Sequence, residues 1–142
     1  MKLSPQSGEA PRDHSAAPAR STAPLIGILL LVSGAHFFDD MLHAVIPAVY
    51  PLLRELHGLS FSQIGLIPLT LYLSSSILQP LIGFYCDRRP LPFIMAAGMF
   101  FSLASMLLLA FSSVYALILL AAVLAGCGSA VLHPEASRVA RL

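Results

Sequence analysis

Four predominantly apolar runs, at about residues 25–53, 61–85, 91–111 and 114–133, limit what this chain can fold into. A hydrocarbon core takes about 20 residues of helix to cross, and each of the four runs is long enough. Inside lipid every backbone N–H and C=O has to be satisfied within the protein, which leaves helices as the spanning elements. The short connections make consecutive helices antiparallel. The sequence therefore predicts an all-α membrane protein built as a helical bundle. Composition agrees, since 57% of the residues are hydrophobic and only 11% are charged, against roughly 25% charged in soluble domains.

Local signals set the ends of the runs. "SFSQ" opens the second, where Ser60 can cap the helix and Gln63 can reach back, a capping box. Pro90 and Pro92 precede the third, at positions where a missing N–H costs nothing. Ala122, Gly126 and Ala130 recur at intervals of four in the last run, with Gly128 and Ser129 beside them. Small residues at that spacing let another helix approach closely. Residues 1–24 are rich in Ala, Pro and Ser with mixed charges, and are expected to be a disordered cytoplasmic tail. The apolar run after Pro24 and the "SGA" at 33–35 have the outline of a signal peptide. Glu9 and Asp13 in the flanking region, and the spans that follow, argue for a retained span instead.

The net charge is +1, without the basic face that nucleic acid binding requires. Cys86 and Cys127 form no CxxC pair and read as packing residues. Basic residues are distributed unevenly among the loops. Lys2, Arg12, Arg20, Arg88, Arg89, Arg138 and Arg141 fall on one side, and Arg54 alone on the other. The positive-inside rule then puts the N-terminus, the 86–90 loop and the chain end in the cytoplasm of a multi-pass inner-membrane protein.

Three places could carry chemistry. Within the first run, "SGAHFFDDMLHAV" holds His36, Asp39, Asp40 and His43. At about 100° per residue, Asp39 lies about −60°, Asp40 about +40° and His43 about −20° from His36. The four share one arc of a helix, and the expense of ionisable groups in lipid turns that arc towards a bundle or a wet cavity. It is either a His–Asp lock between helices or a functional site, and clustered carboxylates and imidazoles suit a proton-coupled carrier. The second place is "GFYCDRRP", where Gly83 permits close helix approach and Asp87, Arg88 and Arg89 form a basic turn. The third is "HPEASRVAR", where Glu135 and Arg138 can pair on one turn or gate against Asp87. Counted along its own run, His133 lies about 30 Å in, at the cytoplasmic rim.

Together these features resemble the major facilitator superfamily. The loop between its second and third helices typically reads G-x-x-x-D-R/K-x-G-R/K-R/K. This chain matches with Gly83, Asp87 and Arg88, and departs where Pro90 replaces the second glycine and Leu91 and Pro92 replace the trailing basic residues. "AHFFDDMLHAVIPAVYPLL", "SFSQIGLIPLTLYLSSSILQPLIGFYCDRRP" and "GCGSAVLHPEASRVAR" look like its fosmidomycin-resistance branch. The resemblance implies proton-coupled efflux of small toxic, drug-like compounds such as that phosphonate antibiotic, driven by the proton gradient without a cofactor. It also implies about twelve spans, of which this chain supplies the first four, so the partners would be the lipid bilayer and the missing C-terminal helices of the same transporter. The His36–His43 face would then line the central pathway.

Other readings remain open at this point. A complete four-span protein could dimerise as small multidrug exporters do, or the chain could be a non-transporting structural subunit. A membrane metal hydrolase would use His36, Asp40, His43 and His133, but the depth assigned to His133 separates it from the stripe. No enzyme activity and no metal are therefore expected. The orientation is directly testable in a background of Cys86→Ser and Cys127→Ser. Glu55→Cys should react with an impermeant maleimide in intact cells, and Arg89→Cys only after permeabilisation. The reverse pattern would invert the topology.

Overall fold

The computed structural model describes the backbone of residues 23–89 and 93–139, and side chains within 26–89 and 93–134. Helix α1 runs Ala23–Ala48, α2 Tyr50–His57, α3 Phe61–Arg88, α4 Ile94–Ala110 and α5 Tyr115–Val139. Residues 1–22 of the expected tail, and Pro90 and Pro92, lie outside the described residues. Among the described residues α1, α3 and α5 are long and apolar enough to cross a membrane. At 17 residues, α4 is shorter, at the lower limit of about 17 for a span.

The first run ends differently from expectation. Expected to reach Leu53 with interruptions at Pro47 and Pro51, the helix breaks at Val49 and restarts as α2. Pro51 is the cause, because it has no N–H for the carbonyl of Pro47 and its ring would strike that carbonyl. Pro51 fits instead in the first turn of α2. Gly58 then closes α2 in the left-handed conformation at φ 60, and its N–H bonds the Arg54 carbonyl. The cap of α3 forms as the sequence suggested. The Gln63 N–H donates to Ser60 Oγ at 3.2 Å, and the Ser60 N–H donates to Gln63 Oε1 at 2.9 Å. The last run extends beyond its expected end, since α5 continues through Pro134.

Helix α5 is the axis of the bundle. It packs along both α3 and α4, while α1 lies against α5 and α4. In its most apolar stretch 56% of residues are buried, against 11% for α1 and 17% for α3. Between helices in lipid the attraction comes from close packing and hydrogen bonds rather than from water exclusion. Gly126 and Gly128 permit both. A Cβ on Gly126 would collide with Ser74 Oγ and the Leu71 carbonyl of α3. A Cβ on Gly128 would collide with Ser102 Oγ and crowd the Gly98 carbonyl of α4. The two glycines are about 200° apart on the helix, so one serves each neighbour.

Side-chain hydroxyls join the same elements. Ser105 Oγ donates to the Ala121 carbonyl at 2.8 Å, tying α4 to α5. Tyr115 OH donates to the Gln63 carbonyl at 2.9 Å, tying the start of α5 to the start of α3. Below that tie, Ile46, Ile67, Leu71, Ile118 and Ala122 form the apolar core.

Gly126→Leu should destabilise the protein in detergent by about 1–3 kcal/mol through overpacking. Gly65→Ala, in open space on the same bundle, should stay within about 0.5 kcal/mol of the parent. Thermal unfolding followed by helical circular dichroism separates the two. Equal stability of both variants would refute the close approach at Gly126.

Candidate functional site

The arc on α1 divides once its neighbours are in place. Asp39 is 1% exposed and turns towards α4, where Ser102 Oγ donates to its Oδ1. Its other oxygen, Oδ2, is buried without a hydrogen-bond partner. His43 follows one turn later on the same helix, with Nδ1 3.5 Å from that Oδ2. The same Nδ1 lies 2.9 Å from the Asp39 carbonyl, and Nε2 lies 3.2 Å from the Ala125 carbonyl of α5. Both ring nitrogens thus face carbonyl oxygens. A neutral imidazole has a single N–H and would set a lone pair against one of them, whereas an imidazolium donates to both.

Asp40 lies at the other edge of the arc, and its side chain is 70% exposed. His36 is half-buried, with Nδ1 3.7 Å from Asp40 Oδ2. Its ring also meets that of His133 on α5, with centroids 4.9 Å apart and planes at 39°. This corrects the separation expected between His133 and the stripe. Because α1 and α5 are antiparallel, His43 against Ala125 places His36 against His133, two turns further along both helices. The separation that argued against a metal site falls with that contact. Nevertheless, no group of three or more His, Cys, Asp or Glu among the described residues is placed to hold a metal.

The loop motif sits at the far end of α3. Gly83 faces α5, where an added Cβ would stand 3.9 Å from the Cβ of Pro134. Cys86 is buried, and Asp87, Arg88 and Arg89 are exposed. The Arg88 guanidinium stacks 3.8 Å over the Phe84 ring, a cation–π contact that holds the charge at the helix end. The side chains of Glu135 and Arg138, and with them the suggested pairing and gate, lie outside the described residues.

Sequence reasoning missed Ser102, the donor to Asp39. A signal was present, because Gly98, Ser102 and Ser105 follow one another at intervals of four and three on α4. Such a face of small residues marks a close neighbour, and its hydroxyls will bond whatever polar group that neighbour presents.

The chain also matches known proteins. The family model of the Major Facilitator Superfamily matches residues 29–142. A fosmidomycin resistance protein of Escherichia coli (strain K12) is 44% identical over 136 residues, covering 94% of this chain and 34% of that protein. An uncharacterized MFS-type transporter of Bacillus subtilis (strain 168) is 42% identical over 113 residues, covering 80% of this chain and 28% of that one. The chain thus spans about a third of the length of these curated relatives. No solved structure matches it.

Ser102→Ala would leave both oxygens of the Asp39 carboxyl without a hydrogen-bond donor. It should cost about 1–3 kcal/mol of stability, whereas Asp40→Asn, at an exposed side chain, should change stability by less than about 0.5 kcal/mol. Thermal unfolding in detergent measures both, and equal losses would contradict the burial difference between the two aspartates.

Proposed function

The chain belongs to the major facilitator superfamily, and on that premise we propose that it serves proton-coupled export of small toxic compounds, with Asp39 as the proton-carrying group. The observation that carries this reading is the buried Asp39 carboxyl in the middle of α1, with Oδ2 unpartnered beside His43. Ionisable residues at such depth are expensive and are retained where protons or substrates pass.

The geometry supports a specific division of roles. Ser102 holds Oδ1 through its hydroxyl, so the carboxyl has one fixed oxygen and one open one. With Asp39 ionised and His43 protonated, the pair attract one another and His43 Nε2–H holds the Ala125 carbonyl of α5. A further proton arriving on Oδ2 neutralises Asp39 and removes that attraction. Both groups belong to α1, so the contact between helices that the proton alters is the Ser102 hydroxyl of α4 on the carboxyl. Loading and unloading one proton therefore changes how firmly α1 is held to α4 through the Ser102–Asp39 bond, which is the relation an alternating carrier needs.

Compounds of the kind for which the Escherichia coli relative is named, fosmidomycin among them, are the proposed cargo. The relatives' greater length supports further helices on the open side of α1, enclosing a pathway along the His36–His43 face. The excess of basic residues supports an inner-membrane orientation with the Arg88–Arg89 end in the cytoplasm.

Asp39→Asn keeps the size and the Ser102 contact but cannot change charge. In everted membrane vesicles it should reduce pH-driven transport at least about 100-fold, the scale on which removing an essential proton-transfer group acts, with helix content retained. Asp40→Asn should retain most of the activity. Undiminished transport by Asp39→Asn would sink the assignment.

A further inference from the structure

A cavity of about 180 Å³ lies between α1 and α3, on the Arg54 side of His43. Along α1 it begins at His43 and reaches Tyr50 at the start of α2, about 10 Å at the helical rise. Ile46 and Leu71, both buried, form its floor, and the exposed Pro47 and Tyr72 stand at its rim. His43 lines it and also touches Asp39, with Nδ1 3.5 Å from the unpartnered Oδ2.

Polar groups reach this space from both helices. Pro47 of α1 and Pro68 of α3 line it from opposite sides. Neither has an N–H, so the carbonyls of His43 and Ile64, one turn earlier, lose their helical partners. In membrane helices such freed carbonyls are satisfied by neighbouring helices, by hydroxyl side chains or by ordered water. The phenols of Tyr50 and Tyr72 are close enough to act on each other electrostatically. With the His43 ring they add donors and acceptors to the same cavity. Water occupies a cavity that is roomy and offers about two to four polar partners. Here there is room for several molecules at about 30 Å³ each. The volume is also below the roughly 300–1,000 Å³ of sites for drug-sized ligands, so the cavity takes water and not cargo.

We infer that this cavity is a water-filled entry by which protons reach the Asp39–His43 pair from the Arg54 end, an inference that rests on the export reading above. In the transfer the His43 Nδ1–H passes to Asp39 Oδ2. A hydronium in the cavity restores the ring's proton and is left as water. The titratable surroundings suit that route. On α1 and α2 they are Asp39, His43, Tyr50 and, beyond the rim, Arg54, whose guanidinium is stacked 3.9 Å over the Phe61 ring. Helix α3 contributes Tyr72, α5 presents the Ala125 carbonyl to His43, and α4 has no ionisable residue. No arginine or lysine lines the cavity, so no permanent cation bars a hydronium.

The test uses the full chain in lipid nanodiscs, with Cys86→Ser and Cys127→Ser in place and histidine labelled for NMR. The His43 ring signal is identified by its loss in His43→Gln. Saturation transfer from water to the His43 ring N–H should be present in this parent and in Tyr72→Cys, at a side chain exposed on the rim. Benzyl methanethiosulfonate on that cysteine plugs the mouth and should abolish the transfer, and a reductant should restore it. The same reagent on Leu73→Cys, exposed about 100° further round α3, should leave the transfer unchanged. Absence of transfer in the parent, its persistence behind the benzyl group, or equal loss in modified Leu73→Cys would overturn the entry. Transport by Asp39→Asn is a separate readout, so failure of the exchange removes the entry and leaves the proton site to stand or fall by itself.

Discussion

Helix α5 has neighbours on opposite sides because Gly126 and Gly128 present bare backbone to α3 and α4. In water a bundle can be held together by burying apolar surface, but lipid tails are as apolar as leucine and that term vanishes between helices. What remains is dispersion at short range and hydrogen bonding, both of which fall away once backbones separate. The close approach at these two glycines thus comes before the other contacts of the core. Ser105 reaches the Ala121 carbonyl because α4 already lies against α5. α3 and α4 follow one another in the chain, yet they meet mainly through α5.

The polar layer inherits its position from that packing. Asp39 finds Ser102 because the Gly98–Gly128 contact has brought α4 to the bundle axis. His43 then reaches α5 on the other flank of Asp39. Two ionisable groups result along one seam: a buried one at Asp39 and His43, and an open one at His36, Asp40 and His133. Their surroundings differ more than their chemistry. One is shut in beneath a fixed hydroxyl, and the other stands open at the edge of the seam.

Much of this was legible in the sequence where the signal is local. The apolar runs, the Ser60–Gln63 cap and the small residues of α5 all depend on neighbours within a turn or two, and all appear in the structure. The distinction between Asp39 and Asp40 was not legible. A helical wheel gives their relative angle, about 100°, but which edge is buried depends on Ser102, 63 residues away. The nearness of His133 to His36 was not legible for a related reason, since it depends on the register between α1 and α5. The break at Val49 lay between these cases, for Pro51 marked the position but equally fits a kink within one continuous span.

The separation of these partners in the chain bears on how the protein is made. Asp39 waits 63 residues for Ser102, and His43 waits 82 for Ala125. At roughly 5–20 residues per second during synthesis, those gaps correspond to at least about 3 seconds. For that interval α1 carries two acids and two imidazoles without their partners on α4 and α5. An isolated helix so loaded partitions poorly into lipid, since each charge at its centre opposes insertion by about 3 kcal/mol. Helix α1 is therefore a span whose polar face finds its partners only when α4 and α5 arrive.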